Sequence, residues 1–215
     1  MKPHPTGPEL EEFIKKFGRD NRHLAAGKHK QAAWFVSHCA TQARREKYVK
    51  QMKKLVDVDV YGKCGKLKCS RANETECYIN LEQNYKFYLS FENSVCVDYV
   101  TEKFFNVLKY QVLPVTYSGA DFTQIAPPHS YINTLDFNSV SDLSKYLLKV
   151  DRDDELYASY FWWKEFYEVR NTKTDLSQSF CDLCKALHSP LPDKIYADLA
   201  KWWVTASKCK KLKLS

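Results

Sequence analysis

The chain has 215 residues, 44% of them hydrophobic, with a net charge of +7 and eight cysteines. That composition suits one globular domain with a real core, or one domain plus an arm. Read alone, it contains no 18-residue apolar run and no apolar leader, which excludes a membrane span and a signal peptide within these residues. The positive charge is mostly scattered lysine, and no nucleic-acid-binding motif accompanies it, so it describes a mildly basic surface. The even cysteine count, with the glycosylation sequon Asn73-Glu74-Thr75, favours a secretory compartment.

Residues 1–28 read as an N-terminal arm or linker with three prolines, many charges and one short helix marked by Leu10, Phe13, Ile14 and Phe17. The segment Gln31–Ser37 is a short apolar run of buried-strand type. A helix is expected over 43–55, with Tyr48, Val49, Met52 and Leu55 on one side, and Val56–Gly62 alternates like a strand. Residues 63–80 are expected to form a cysteine-rich loop. Tyr85–Phe91 is the next strand, followed by a helix over roughly 99–110 and a strand over Val112–Tyr117. A strand over Ser130–Leu135 and a helix over Ser139–Val150 come next, then aromatic helical stretches over 153–169 and 190–206. Residues 207–215 form a basic tail. Alternating strands and helices argue for an α/β, Rossmann-like, doubly wound and mostly parallel sheet occupying residues 29–206. Such sheets bind ligands beyond the carboxyl ends of their strands, here at Ser37–Gln42, at Glu92–Asp98 and after Tyr117.

Several familiar chemistries are absent or weakly signalled. No GxGxxG fingerprint and no P-loop is present. Asp57-Val58-Asp59 has the form of a metal-holding DxD, yet alternate residues on one strand face give the same pattern. Cys181-Asp182-Leu183-Cys184 with His188 has the form of half a zinc site or of a redox pair. No second pair completes a metal site, and a redox CxxC usually opens a helix near a βαβ unit, so structural bridging is the leading reading. The bridging candidates are Cys64, Cys69, Cys77, Cys181, Cys184 and Cys209, and no metal site is expected. Trp162, Trp163, Trp202 and Trp203 read as core aromatics, with sugar or base stacking as the alternative. The strongest local signal is FYLSFENSVCVDYVTEKFF. It places Asn93 and Ser94 at a strand end and Tyr99, Glu102 and Lys103 at the start of the next helix. A lysine there opposes the helix dipole, and a bound diphosphate would compensate it. Glu102 would accept hydrogen bonds from sugar hydroxyls.

That string, followed by VLPVTYSGADF, APPHSYINTLDF and YFWWK, resembles the α1,3-fucosyltransferases in order and spacing. Ala32–Cys39 and Val58–Gly65 match the same pattern, so the resemblance runs from about Lys28 to about Ala206. It implies the C-terminal, donor-binding half of a GT-B-type glycosyltransferase that moves fucose from GDP-fucose to a GlcNAc hydroxyl on a glycoprotein glycan, with inversion and no cofactor. By the family's motif Asn93, Tyr99, Glu102 and Lys103 would contact the donor, and Arg45 would meet the diphosphate. FYLSFENS and FCDLCKALH are more similar to the enzymes that fucosylate the N-glycan core, of invertebrate or plant type, than to the Lewis-type ones. The resemblance implies a Golgi lumenal protein, held at the membrane only through an N-terminal anchor outside these residues. No catalytic residue is assigned within the chain, because the general base is expected on a missing N-terminal domain; the chain alone is expected to bind donor and transfer poorly. His38 and His129 depart from the family's usual residues. The alternatives are a catalytically silent nucleotide-sugar-binding module and a basic, disulfide-bridged interaction domain.

Overall fold

In the computed structural model, which describes residues 5–69, 73–169, 176–190 and 195–210, five strands form one sheet in the order β2-β1-β3-β4-β5. The strands are β1 (Lys30–Phe35), β2 (Val58–Tyr61), β3 (Tyr85–Phe91), β4 (Leu113–Tyr117) and β5 (Ile132–Asn133), and every pairing is parallel. β3 lies at the centre and is buried along its whole length. That is the burial expected of a parallel strand covered on both faces, and it explains the continuous run YKFYLSF. Phe87, Leu89 and Phe91 join the larger core, while Tyr88 and Ala33 join a smaller one on the opposite face. Lys86 interrupts the run yet stays buried, because its ammonium reaches Asp154 at 3.0 Å and Asp151 at 3.6 Å.

The helices are α1 (Gly7–Asp20), α2 (Arg45–Met52), α3 (Glu74–Asn84), α4 (Glu102–Phe105), α5 (Val140–Arg152), α6 (Asp154–Ser159), α7 (Leu176–His188) and α8 (Leu199–Ser207). α1 lies in the stretch expected as an arm and forms a seam against the body. Phe13 meets Trp162 and Phe166 edge-on, and Gly18 lets the two backbones approach so closely that a Cβ there would sit 2.4 Å from the Glu155 carbonyl oxygen. α5 starts where expected because the Ser139 hydroxyl accepts the Asp142 N–H and caps the first turn. α3 occupies a stretch expected to be loop. The helix expected over 99–110 is only four residues long and passes into a 3-10 turn at Val107–Lys109. The run Phe104-Phe105-Asn106-Val107 contains no strong helix former, and its two buried side chains, Phe104 and Val107, enter different cores. The segment 191–194, within an expected helix, and residues 211–215 of the basic tail lie outside the described residues.

Three disulfides connect Cys39 to Cys64, Cys69 to Cys77, and Cys96 to Cys209. Of the bridging candidates, Cys64, Cys69, Cys77 and Cys209 are therefore paired. Cys181 and Cys184 are not: both are exposed thiols on α7. Sequence proximity favoured the latter pair, whereas Cys39 meets Cys64 because the parallel strands β1 and β2 bring their carboxyl-end loops together, and Cys96, in the loop after β3, meets Cys209 beyond α8. Cys209 in the expected tail is bound to the body, and Lys210 N–H donates to Val95 O at 2.8 Å.

Gly62, just past β2, has φ +98°, and a Cβ there would lie 2.6 Å from the Val36 carbonyl oxygen. Both the backbone conformation and the close approach require glycine. Gly62→Ala is expected to lower stability by roughly 1–3 kcal/mol in urea unfolding; an unchanged midpoint would contradict this packing.

Candidate donor site at the β1/β3 switch point

In the order β2-β1-β3-β4-β5 the chain reverses its winding between β1 and β3, and the crevice of such a sheet opens at that point. A cleft of about 310 Å³ lies there. Ser37 and His38 reach it from the loop after β1, Arg45 from α2, Asn93 from the loop after β3, and Glu102 and Lys103 from α4. Phe35, Tyr78 and Tyr88 give it an aromatic wall, with ring centroids 5.3–5.8 Å from Phe35 to the two tyrosines. Burial holds the Tyr88 phenol well above its ordinary pKa, so it stays protonated.

Arg45 is 2% exposed. Its Nη1 donates to the Phe91 carbonyl, its Nη2 donates to the His38 carbonyl at 3.2 Å, and its guanidinium lies 5.5 Å from the Trp34 ring centroid. It thereby joins the ends of the two strands that diverge at the switch point. Burial pulls its pKa down, and Glu92 and Glu46 act against that pull. Its Nε–H has no partner among the described residues, nor does Asn93 Oδ1, although both are buried. Two unsatisfied buried polar atoms on one cleft are what a polar ligand would satisfy.

The question posed by Lys103 has a different answer from the one expected. Its Nζ lies 3.0 Å from Glu92 Oε2, donates to Thr101 Oγ1 at 2.8 Å, and lies 3.3 Å from Glu102 Oε1. The Glu92 side chain is 2% exposed, and it also accepts the Thr101 N–H and hydroxyl at 2.8 Å each. The lysine is thus neutralised by a buried carboxylate of its own chain. The four-residue α4 offers little dipole to oppose or assist it, because a macrodipole grows with aligned peptide units. Glu92 is the residue that sequence reasoning passed over. Its signal was an acid at a buried strand end, eleven residues before the lysine of the next turn. Glu102 is 65% exposed at its side chain. Burial pushes its carboxyl up, but Lys103 and the Thr101 hydrogen bond outweigh that and hold it below the usual carboxylate range.

The structure gathers Arg45, Asn93, Glu102 and Lys103 on one cleft but turns Tyr99 onto a neighbouring groove, where its carbonyl accepts the Ser118 hydroxyl. Asp59 is bound to Lys30 at 2.9 Å and to the Tyr85 hydroxyl at 2.6 Å, so half of the DxD pattern is a strand-face ion pair. Among the described residues no cluster of three potential metal ligands exists. Asn73 is exposed and donates to Glu76 at 3.0 Å. His38 borders the cleft, whereas His129 lies away from it, stacked 3.8 Å from Tyr160 with Nε2 2.8 Å from Ser159 Oγ.

Two outcomes follow from this geometry. Lys103→Met strands a buried carboxylate and should cost roughly 3 kcal/mol in urea unfolding, with part of that loss recovered in the Glu92→Gln/Lys103→Met double variant. Additive losses would show that the pair is not coupled. Burial pushes the His129 imidazole down to about 4 from an ordinary value of 6.5. The unfolded chain therefore takes up a proton that the folded chain refuses, and stability falls as pH drops from about 6.5 toward 4. His129→Asn, which suits the residue's φ of +53°, should flatten that part of the stability–pH curve; an unchanged slope would contradict the half-buried, neutral imidazole.

Comparison with known proteins agrees with this architecture. The family model for the C-terminal region of glycosyltransferase family 10, the fucosyltransferases, matches residues 25–202. Alpha-(1,3)-fucosyltransferase C of Drosophila melanogaster is 45% identical over 183 residues, covering 84% of this chain and 42% of that protein. Glycoprotein 3-alpha-L-fucosyltransferase A of the same organism is 43% identical over 185 residues, covering 83% and 36%. The chain thus spans about two-fifths of the length of these curated relatives. A crystal structure of an alpha1,3-fucosyltransferase with GDP-fucose superposes with a TM-score of 0.58 at 19% identity, covering 92% of this chain and 58% of that one, which is a likeness of fold. The chain belongs to the family 10 fucosyltransferases and carries its C-terminal, Rossmann-like domain.

Proposed function

We propose that the cleft binds the nucleotide of GDP-fucose and that the protein takes part in α1,3-fucosyl transfer to a GlcNAc hydroxyl of a glycoprotein glycan. The carrying observation is the convergence of Arg45, Asn93 and Lys103 at the switch-point cleft, with an unsatisfied Arg45 N–H and Asn93 oxygen. The aromatic wall suits a nucleoside, and the cations suit a diphosphate. As the sugar departs, negative charge accumulates on the β-phosphate. Fixed cations that cost no reorganisation stabilise that state more than the ground state. Lys103 is held in place by Glu92 and Thr101, so it needs no rearrangement to act. Glu102, exposed beside it, is the group for sugar hydroxyls.

Inverting transfer also requires a base to take the acceptor's proton. Glu92 is committed to Thr101 and Lys103, and Glu102 is a weak base because its carboxyl is held low. We therefore place the base in the part of the relatives that this chain does not match. Three disulfides support an oxidising compartment, and the family resemblance suggests the Golgi lumen. Among the described residues no helix is long and apolar enough to cross a membrane.

Titration calorimetry tests the reading. GDP and GDP-fucose should each bind one saturable site, and Asn93→Ala should weaken both by roughly tenfold. Absence of binding, or affinity unaffected by Asn93→Ala, would overturn it.

A further inference from the structure

The second tryptophan pair is not core. Trp162 and Trp163 are buried, but Trp202 and Trp203 on α8 are 39% and 64% exposed. They face a groove of about 430 Å³ that Tyr99, Asp98 and Gln42 also line. α8 is fixed there rather than free. Cys209, just beyond it, is bonded to Cys96, and Val97 N–H donates to Ser207 O at 2.8 Å. The bridge spans 113 residues of sequence and returns the far end of the chain to the β3–α4 loop. The groove adjoins the donor cleft. Asn93 lines the cleft and the next residue, Ser94, lines the groove, where its hydroxyl donates to Gln42 Oε1 at 2.9 Å.

The chemistry of the lining selects a ligand class. Indole and phenol faces pack against the C–H face of a pyranose and are amphipathic at their edges. The Gln42 amide N–H and the Asp98 carboxylate have no protein partner among the described residues, which leaves a donor and an acceptor for hydroxyl groups. Asp98 is the one ionisable acid among the lining residues, and no lysine or arginine joins it, which disfavours phosphate and other anions. An apolar, aromatic groove with a few convergent polar groups and a volume within the usual range of ~300–1,000 Å³ is a small-ligand site. We propose that this groove is a saccharide subsite that takes a neutral pyranose chain, with Trp203 as the stacking platform and Asp98 and Gln42 as hydroxyl partners. Its identification with part of the acceptor glycan rests on the donor reading above; saccharide binding itself does not.

The test uses chitotriose, a neutral β1,4-linked N-acetylglucosamine trimer, titrated into the full chain by calorimetry and by tryptophan fluorescence. Saturable binding on the order of millimolar is expected, with about a tenfold loss in Trp203→Ala and a smaller loss in Asp98→Asn. Trp203 is largely exposed, so the variant should melt with the wild type. No saturable binding, or equal affinity in wild type and both variants, overturns the subsite. A concentration-dependent dimer that Trp203→Ala dissociates, with saccharide affinity unaltered, also overturns it and assigns the face to protein contact. GDP-fucose titrated into the same wild-type samples reports the cleft separately, so failure of the donor reading and failure of the groove give different results.

Discussion

One buried guanidinium holds the site together. Where β1 and β3 part, their carboxyl ends would separate into two loops with unpaired carbonyls. Arg45 satisfies one carbonyl from each, Phe91 and His38, and its plane lies near the Trp34 ring. The cleft is therefore shaped by a charge the fold has already desolvated. Placing a cation there is costly unless it is well hydrogen-bonded, and the remaining unsatisfied N–H marks where that satisfaction is incomplete.

The same economy governs Lys103. A buried carboxylate and a threonine hold its ammonium in place, so it is positioned before any ligand arrives. Glu92 serves both parts of this arrangement: it anchors the turn into α4 through the Thr101 N–H, and it neutralises the lysine. Disulfides then limit the motion of the surrounding loops. The loop after β1 is tied to the loop after β2, the loop before α3 to α3, and the loop after β3 to the chain beyond α8. The carboxyl edge of the sheet is cross-linked at each place where the cleft and its neighbouring groove need a fixed wall.

β1, β3 and β4 were legible because each is a short, mostly apolar run bounded by polar residues, and β2 because it alternates; of the stretch expected as the last strand only Ile132–Asn133 pairs. The motif around Asn93 was legible as a loop at a strand end. Three features were not. α3 was hidden because its disulfide partner and sequon gave the stretch a loop-like composition, while Tyr78 and Leu81, its buried face, are only two residues. The brevity of α4 was hidden because Val100, Phe104, Val107 and Leu108 have helical spacing, yet Phe104 and Leu108 enter one core and Val107 the other. The partner of Lys103 was hidden because an ion pair between a strand end and a turn eleven residues later depends on the path of the loop between them. Trp202 and Trp203 were assigned to the core by spacing, whereas burial is decided by what packs against α8.

The most direct measurement is amide hydrogen exchange of the chain with and without saturating GDP. The expected result is protection of the loop after β1 at residues 37–39, the start of α2 near Arg45, and residues 92–103. Protection confined to other surfaces, such as the face between α1 and α6, with those three segments unchanged, would contradict a nucleotide site at the β1/β3 switch point.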